Sequence, residues 1–244
     1  MNRVSNRKRL IIAGLAGLAT MTAGQAATAQ TLPTTMPMLT PATTRTAFDA
    51  STPKAAVQTL AVALYGGDAA TLKQVLYAGT TDAERAMTTA TIDMAVALAT
   101  FRQEAIAQFG ADEVNTAMGN PADMHTQALA RIESAVETIT ADIGTATVGL
   151  PGEPPVVLKK VNENWTVLTG AVSPSDSAEA IAERVRGVES QTTVLQLMTE
   201  DVRASRHRTM REVLTLLHGQ MMKAATEPRA KGGVESSPTT VPVE

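Results

Sequence analysis

The sequence predicts an α+β domain: a four-stranded antiparallel meander packed on several helices, with two long helices, 82–109 and 177–204, packed along each other. Three observations predict it. Between 136 and 170 lie four short runs rich in Val and Thr, "VETIT", "TATVGL", "PVVLKKV" and "WTVLTG". Their links are too short for anything but antiparallel neighbours. The flanking segments carry apolar residues at steps of three and four, the period of a helix with one buried face. Two of those segments repeat the stripe every seven residues, the pattern of helices packed side by side.

Residues 1–29 read as a secretory signal peptide. Arg3, Arg7, Lys8 and Arg9 form a positive start, and "LIIAGLAGLAT" is an apolar run too short to span a membrane. Ala27-Thr28-Ala29 is a cleavage site that leaves Gln30 as the new N-terminus, with Ala26 as a second cleavage position. Lys8-Arg9 is not the Arg-Arg pair of a twin-arginine signal. The expected address is periplasmic or extracellular. Residues 30–50 are rich in Thr and Pro without periodicity and read as a linker; 227–244 read as a disordered tail.

The folded domain is expected over 51–226. Thr52 caps a first helix with Pro53 at its first position, where a missing N–H needs no partner. Val57, Leu60, Ala61 and Leu64 form its apolar face, and Gly66-Gly67 ends it. Asp68 caps a short helix carrying Leu72, Val75 and Leu76. Thr81 and Glu84 make a capping box for the first long helix, which Gly110 closes. Its stripe is Met87, Thr91, Met94, Leu98, Phe101 and Ala105. Asn120-Pro121 caps a helix carrying Leu129, Ile132 and Val136.

The meander follows, with turns at Asp142-Ile143-Gly144, Pro151-Gly152-Glu153-Pro154 and Asn162-Glu163-Asn164. Asp176 and Glu179 open the second long helix, whose stripe is Ile181, Val185, Val188, Thr192, Leu195, Thr199 and Val202. A further capping box, Thr209 with Glu212, opens a last helix over 210–223 with Val213, Leu216, Leu217 and Met221 buried.

Composition removes several function classes. The chain has no cysteine, so neither a lipidated cysteine nor a disulfide holds it, and stability must come from packing. Loss of the signal takes away four positive charges and no negative one. That leaves 17 Lys and Arg against 24 Asp and Glu, net −7. An acidic domain repels a phosphate backbone, so no nucleic-acid partner is expected. No later stretch has the length of a membrane span.

Two segments carry a resemblance. "TPKAAVQTLAVALYGGDAATLKQVLY" resembles the opening of NTF2-like domains, in which a helix ends in a Gly-Asp pair and a short second helix follows. "TADIGTATVGL" and "VVLKKVNENWTVL" look like the paired strands of the exported DUF4878-type branch of that superfamily. Thr145-Ala146-Thr147-Val148 and Lys159 to Val167 match its strand pattern, with Asn-Glu-Asn where the family usually turns on glycine. The similarity covers about 51–78 and 138–170. It implies a curved sheet wrapped on helices around a cavity. It carries over no catalytic residue, because the matched motifs contain none, and such a fold does not fix a function.

Alternation puts Trp165, the sole tryptophan, and Val167 on one face of their strand. The pair forms either a core anchor where sheet meets helix or the wall of a ligand cavity. Arg203, Arg206, Arg208 and Arg211 form the one basic cluster of the mature chain. They are either cations favoured at a helix C-terminus or a docking patch for an anionic surface.

The histidines do not make a metal site. His207 and His218 are eleven residues apart, and on one helix they would stand about 16 Å apart along the axis. His125 sits beside Met124, with Met118 near, a pattern conceivable for copper but commoner as core filler. No metal and no cofactor are expected. Asp93 and Glu104 are the carboxylates that could serve as a buried base. No nucleophile elbow, P-loop or dinucleotide fingerprint is present.

Export without a catalytic constellation gives the leading expectation: a non-catalytic binding or scaffolding module of the cell envelope. Its partner is an envelope protein or a small apolar ligand. The alternatives are a cavity enzyme of isomerase/dehydratase type and a helical-hairpin protein that homodimerises through its seven-residue stripe.

Overall fold

The computed structural model describes residues 48–140, 144–169 and 177–226. The signal peptide, most of the linker, the first turn of the meander except Gly144, Asp176 and the tail lie outside the described residues. The elements are α1 (Pro53–Gly66), α2 (Ala69–Val75), α3 (Asp82–Phe109), α4 (Ala111–Met118) and α5 (Pro121–Glu133). Then come β1 (Val136–Thr140), β2 (Thr145–Gly149), β3 (Val156–Val161), β4 (Asn164–Val167), α6 (Ala178–Arg203) and α7 (Met210–Thr226). The α+β class holds.

Local chemistry sets the helix starts. Thr52 Oγ1 accepts the Ala55 N–H, and Asp68 Oδ1 accepts the N–H groups of Ala70 and Thr71. Thr81 and Glu84 exchange both bonds of the capping box. Asn120 Oδ1 accepts the Ala122 N–H. Each bond satisfies an N–H that the first helical turn leaves without a partner. Ser177, not Asp176, caps α6 by accepting the Ala180 N–H. At α7, Thr209 accepts the Glu212 N–H while Glu212 reaches back to the Arg208 N–H, one residue earlier than a regular box.

The strands form one antiparallel sheet in the order β1-β2-β3-β4. The last hairpin is tighter than the three-residue turn expected. Val161 pairs with Asn164, so Asn164 rather than Trp165 begins β4. Asn162 takes φ 56°, a conformation asparagine tolerates better than most residues. Direct pairing puts Ala146, Val148, Leu158, Trp165 and Val167 on one face. All five are buried in a cluster with Ala56, Val57, Leu72 and Ile132 from the helices.

The two sheet edges differ. β4 is covered: Tyr77 N–H donates to Val167 O, and Trp165 N–H donates to Ala50 O, each at 2.8 Å. Ala50 is therefore part of the core, 2% exposed, and the ordered domain begins before the linker boundary expected at 51. β1 has β2 as its strand neighbour and no second one among the described residues.

The long helices α3 and α6 pack along each other, and they run parallel. Met87 and Ala90 near the start of α3 meet Ile181 and Val185 near the start of α6. Phe101 and Ala105 near its end share a cluster with Leu195, Met198 and Val202. Every stripe residue expected on α6 is buried. The seam's hydroxyls bond within their own helix: Thr91 to Met87 O, Thr192 to Val188 O, Thr199 to Leu195 O. The α6 stripe and most of the α3 stripe are thus buried against each other inside one chain.

Five side chains depart from the expected burial, among them Met221, which is only half-buried. Leu98 is 40% exposed and Ala97 takes its place in the seam. A straight helix drifts against a seven-residue repeat, and one residue of slip rotates the seam by about 100°. Leu216 is 43% exposed, because α7 packs through Met210, Val213 and Leu217. Val136, expected on a helix, starts β1 at 71% exposure, since α5 stops at Glu133. Met94 is half-buried between two clusters. One helix was not expected: α4, flanked by Gly110 and Gly119 at φ 86° and 83°.

Candidate functional site

An open groove of about 800 Å³ lies between α4 and α7. Asp112, Glu113, Thr116 and Ala117 come from α4. Arg211, Leu214, Thr215 and His218 come from α7. Beneath them Val114, Met210 and Val213 are fully buried and fix the two helices together. Glu113 also accepts the Met210 N–H at 2.7 Å. A carboxylate there meets the positive end of α7, so the bond that shapes the groove is charge-assisted.

The acidic side chains Asp112 and Glu113 of α4 face the Arg211 cation of α7. His218 stands on the α7 side with Arg211, and Ala117 and Leu214 add apolar surface to the lining. Arg211 and His218 are seven apart, two helical turns, and so share a face. Such a lining suits a ligand with charges of both signs and an apolar group. Among the described residues no group of three or more His, Asp or Glu side chains could hold a metal ion.

No family model, curated protein or solved structure matches this chain. The groove must therefore be read from its own residues.

Two residues singled out in the sequence line it: Arg211, named for an anionic docking patch, and His218, weighed for a metal. The other arginines of the basic cluster lie around the α6–α7 link. Arg203 pairs with Glu104 at 2.8 Å and with Glu200 at 2.6 Å, which raises its pKa further above its ordinary value. Arg206 pairs with Asp201. Arg208 is exposed. Acidic neighbours thus interleave with the cluster, so the positive field expected of it is cut locally. His207 precedes α7 and does not share a helix with His218. Its side chain is 10% exposed, with Nδ1 3.7 Å from Glu212.

Trp165 and Val167 are 6% and 3% exposed and point into the filled side of the sheet. Of the two carboxylates considered as a base, Asp93 is exposed and Glu104 is held by Arg203. Met124 packs against Gly119, where a Cβ would meet its sulfur at 2.9 Å.

The acidic wall escaped sequence reading. The signal was there: two acidic residues in a first turn, between two glycines. An eight-residue helix with one buried side chain, Val114, shows too little periodicity to detect.

Proposed function

We propose that this chain is an exported, non-catalytic binding module of the cell envelope, and that the α4–α7 groove receives a short stretch of a partner polypeptide. The groove carries the reading: its facing charges and apolar lining suit a peptide bearing both charges and one aliphatic side chain. The residues 1–29 support export. We further propose a variant of the NTF2-like fold. The helix ending at Gly66-Gly67-Asp68 and the meander on helices support it. In this variant the space between sheet and helices is taken by Trp165, Leu158 and Leu72, so binding is displaced to the added helices.

The test uses the full chain expressed in a bacterial host. N-terminal sequencing of the exported form should begin at Gln30. A photo-crosslinking residue at Thr215, in the groove, is compared with one at Thr100, exposed on α3. The expected result is a discrete polypeptide adduct from Thr215 that is lost on adding Arg211→Glu. Equal labelling from both positions, or retention of the adduct with Arg211→Glu, overturns the proposal.

A further inference from the structure

The edge strand β1 reads Val136-Glu137-Thr138-Ile139-Thr140, all β-branched but for the glutamate. It carries no lysine and no proline, and its one charged side chain, Glu137, lies on the inner face beside Val148. Val136 and Ile139 are 71% and 51% exposed, and both Thr138 and Thr140 are exposed. The opposite edge is closed by Ala50, Leu76 and Tyr77. We infer that β1 is a pairing edge for a second copy of this chain, joined antiparallel about a two-fold axis at Thr138.

The strand is self-complementary in that register. On the outer face Thr138 stands opposite its symmetry mate, and Val136 opposite Thr140 of the second copy. On the inner face Glu137 stands opposite the mate's Ile139. Threonine pairs across strands are favourable, and no like charges oppose each other. A register centred on Glu137 would set two carboxylates face to face and is disfavoured for that reason. The acid is also engaged within its own chain. Glu137 accepts the Lys54 N–H at 3.3 Å, and the Lys54 ammonium donates to Glu133 O at 2.9 Å.

The other edge decides the stoichiometry. A β1-to-β4 contact would repeat from copy to copy and build a fibre, whereas β1-to-β1 contact closes at two. With β4 covered, assembly stops at a dimer. Five residues make a small interface, well below the roughly 1,200 Å² at which stable complexes begin. The dimer is therefore weak and reversible.

The absence of native cysteine allows a clean test. The mature chain, residues 30–244, is first followed by sedimentation equilibrium up to millimolar concentration. A monomer–dimer equilibrium is expected, with Thr138→Lys raising the dissociation constant at least tenfold, because two lysines then oppose at the axis. Single-cysteine variants are next oxidised mildly. Thr138→Cys should form a disulfide-linked dimer readily, since opposed residues sit within disulfide reach. Val136→Cys should not, because its mate lies about 14 Å away, four residues along the strand. Equal mixing of Val136→Cys with Thr140→Cys should restore crosslinking. A strict monomer at millimolar concentration, or equal crosslinking of Thr138→Cys and Val136→Cys, overturns the inference. The first result would leave β1 to an extended segment of another protein.

Discussion

Glu104 of α3 and Arg203 of α6 meet at 2.8 Å although 99 residues separate them, each in the last turns of its helix. That contact shows the helices to be parallel, so α4, α5 and the sheet must return the chain to the start of α3. The pair marks the geometry but contributes little to stability. Both side chains are partly exposed, at 50% and 30%, and such pairs contribute about 0–1 kcal/mol. Phe101, one turn away, is fully buried in the seam. We predict that Phe101→Ala costs about 3–5 kcal/mol and Arg203→Ala less than about 1 kcal/mol, read by urea denaturation. Comparable losses from both would contradict a seam held by packing.

Adjacent glycines at the end of α1 should behave oppositely. Gly67 has φ 62°, and a Cβ there would lie 2.4 Å from the Ala99 Cβ. Gly66 is helical, and a Cβ there meets nothing within 4 Å. Gly67→Ala should destabilise by more than about 1 kcal/mol, from backbone strain and clash together. Gly66→Ala should be neutral or stabilise by up to about 1 kcal/mol. Thermal unfolding of the two variants side by side is the measurement.

The start of α3 should respond to acid. Glu84 accepts from the N–H groups of Thr80 and Thr81 and from the Thr80 hydroxyl. These bonds favour its ionised form and lower its pKa from 4.5 to about 2. The folded value lies below the unfolded one, so the stabilisation is present in full above pH 4.5 and fades as pH falls from there towards 2. Solvent access keeps it modest. Glu84→Gln should be less stable than the native chain at pH 7 and converge with it near pH 2. A constant difference between the two across that range would refute the assignment. Thr81→Ala, which removes the reciprocal bond, should cost about 1 kcal/mol.

Trp165 is a convenient reporter of the sheet lobe. It is 6% exposed, so native emission should be blue-shifted and should move red on unfolding. Trp165→Ala leaves a large void beneath β4 and should cost about 3–5 kcal/mol. Thr166, beside it, donates to Lys159 O from the other face. Thr166→Val should cost far less than the tryptophan change. Red-shifted native emission would place the ring in water and remove the core reading.

Much of this fold was legible from residue order. The helix caps Thr52, Asp68, Thr81 and Asn120 act within three residues of themselves, so their chemistry is local. The strand alternation and the α6 stripe follow from the periods of single elements. Leu98 and Leu216 were not legible, because which side of a helix is covered depends on its neighbours. The α4–α7 groove was hidden for the same reason: Asp112 and His218 are far apart in sequence, and only packing brings their helices together.

By itself, then, the sequence determined the periods and the caps, and the four strands in their meander. Tertiary structure alone decided three things: that the long helices run parallel, that the tryptophan fills the sheet's inner face, and that β4 is covered while β1 has no second strand neighbour among the described residues. The physical reason is range. Capping and periodicity rest on bonds within a few residues. Parallel packing, burial and edge cover rest on contacts between segments that meet only when the whole chain has folded.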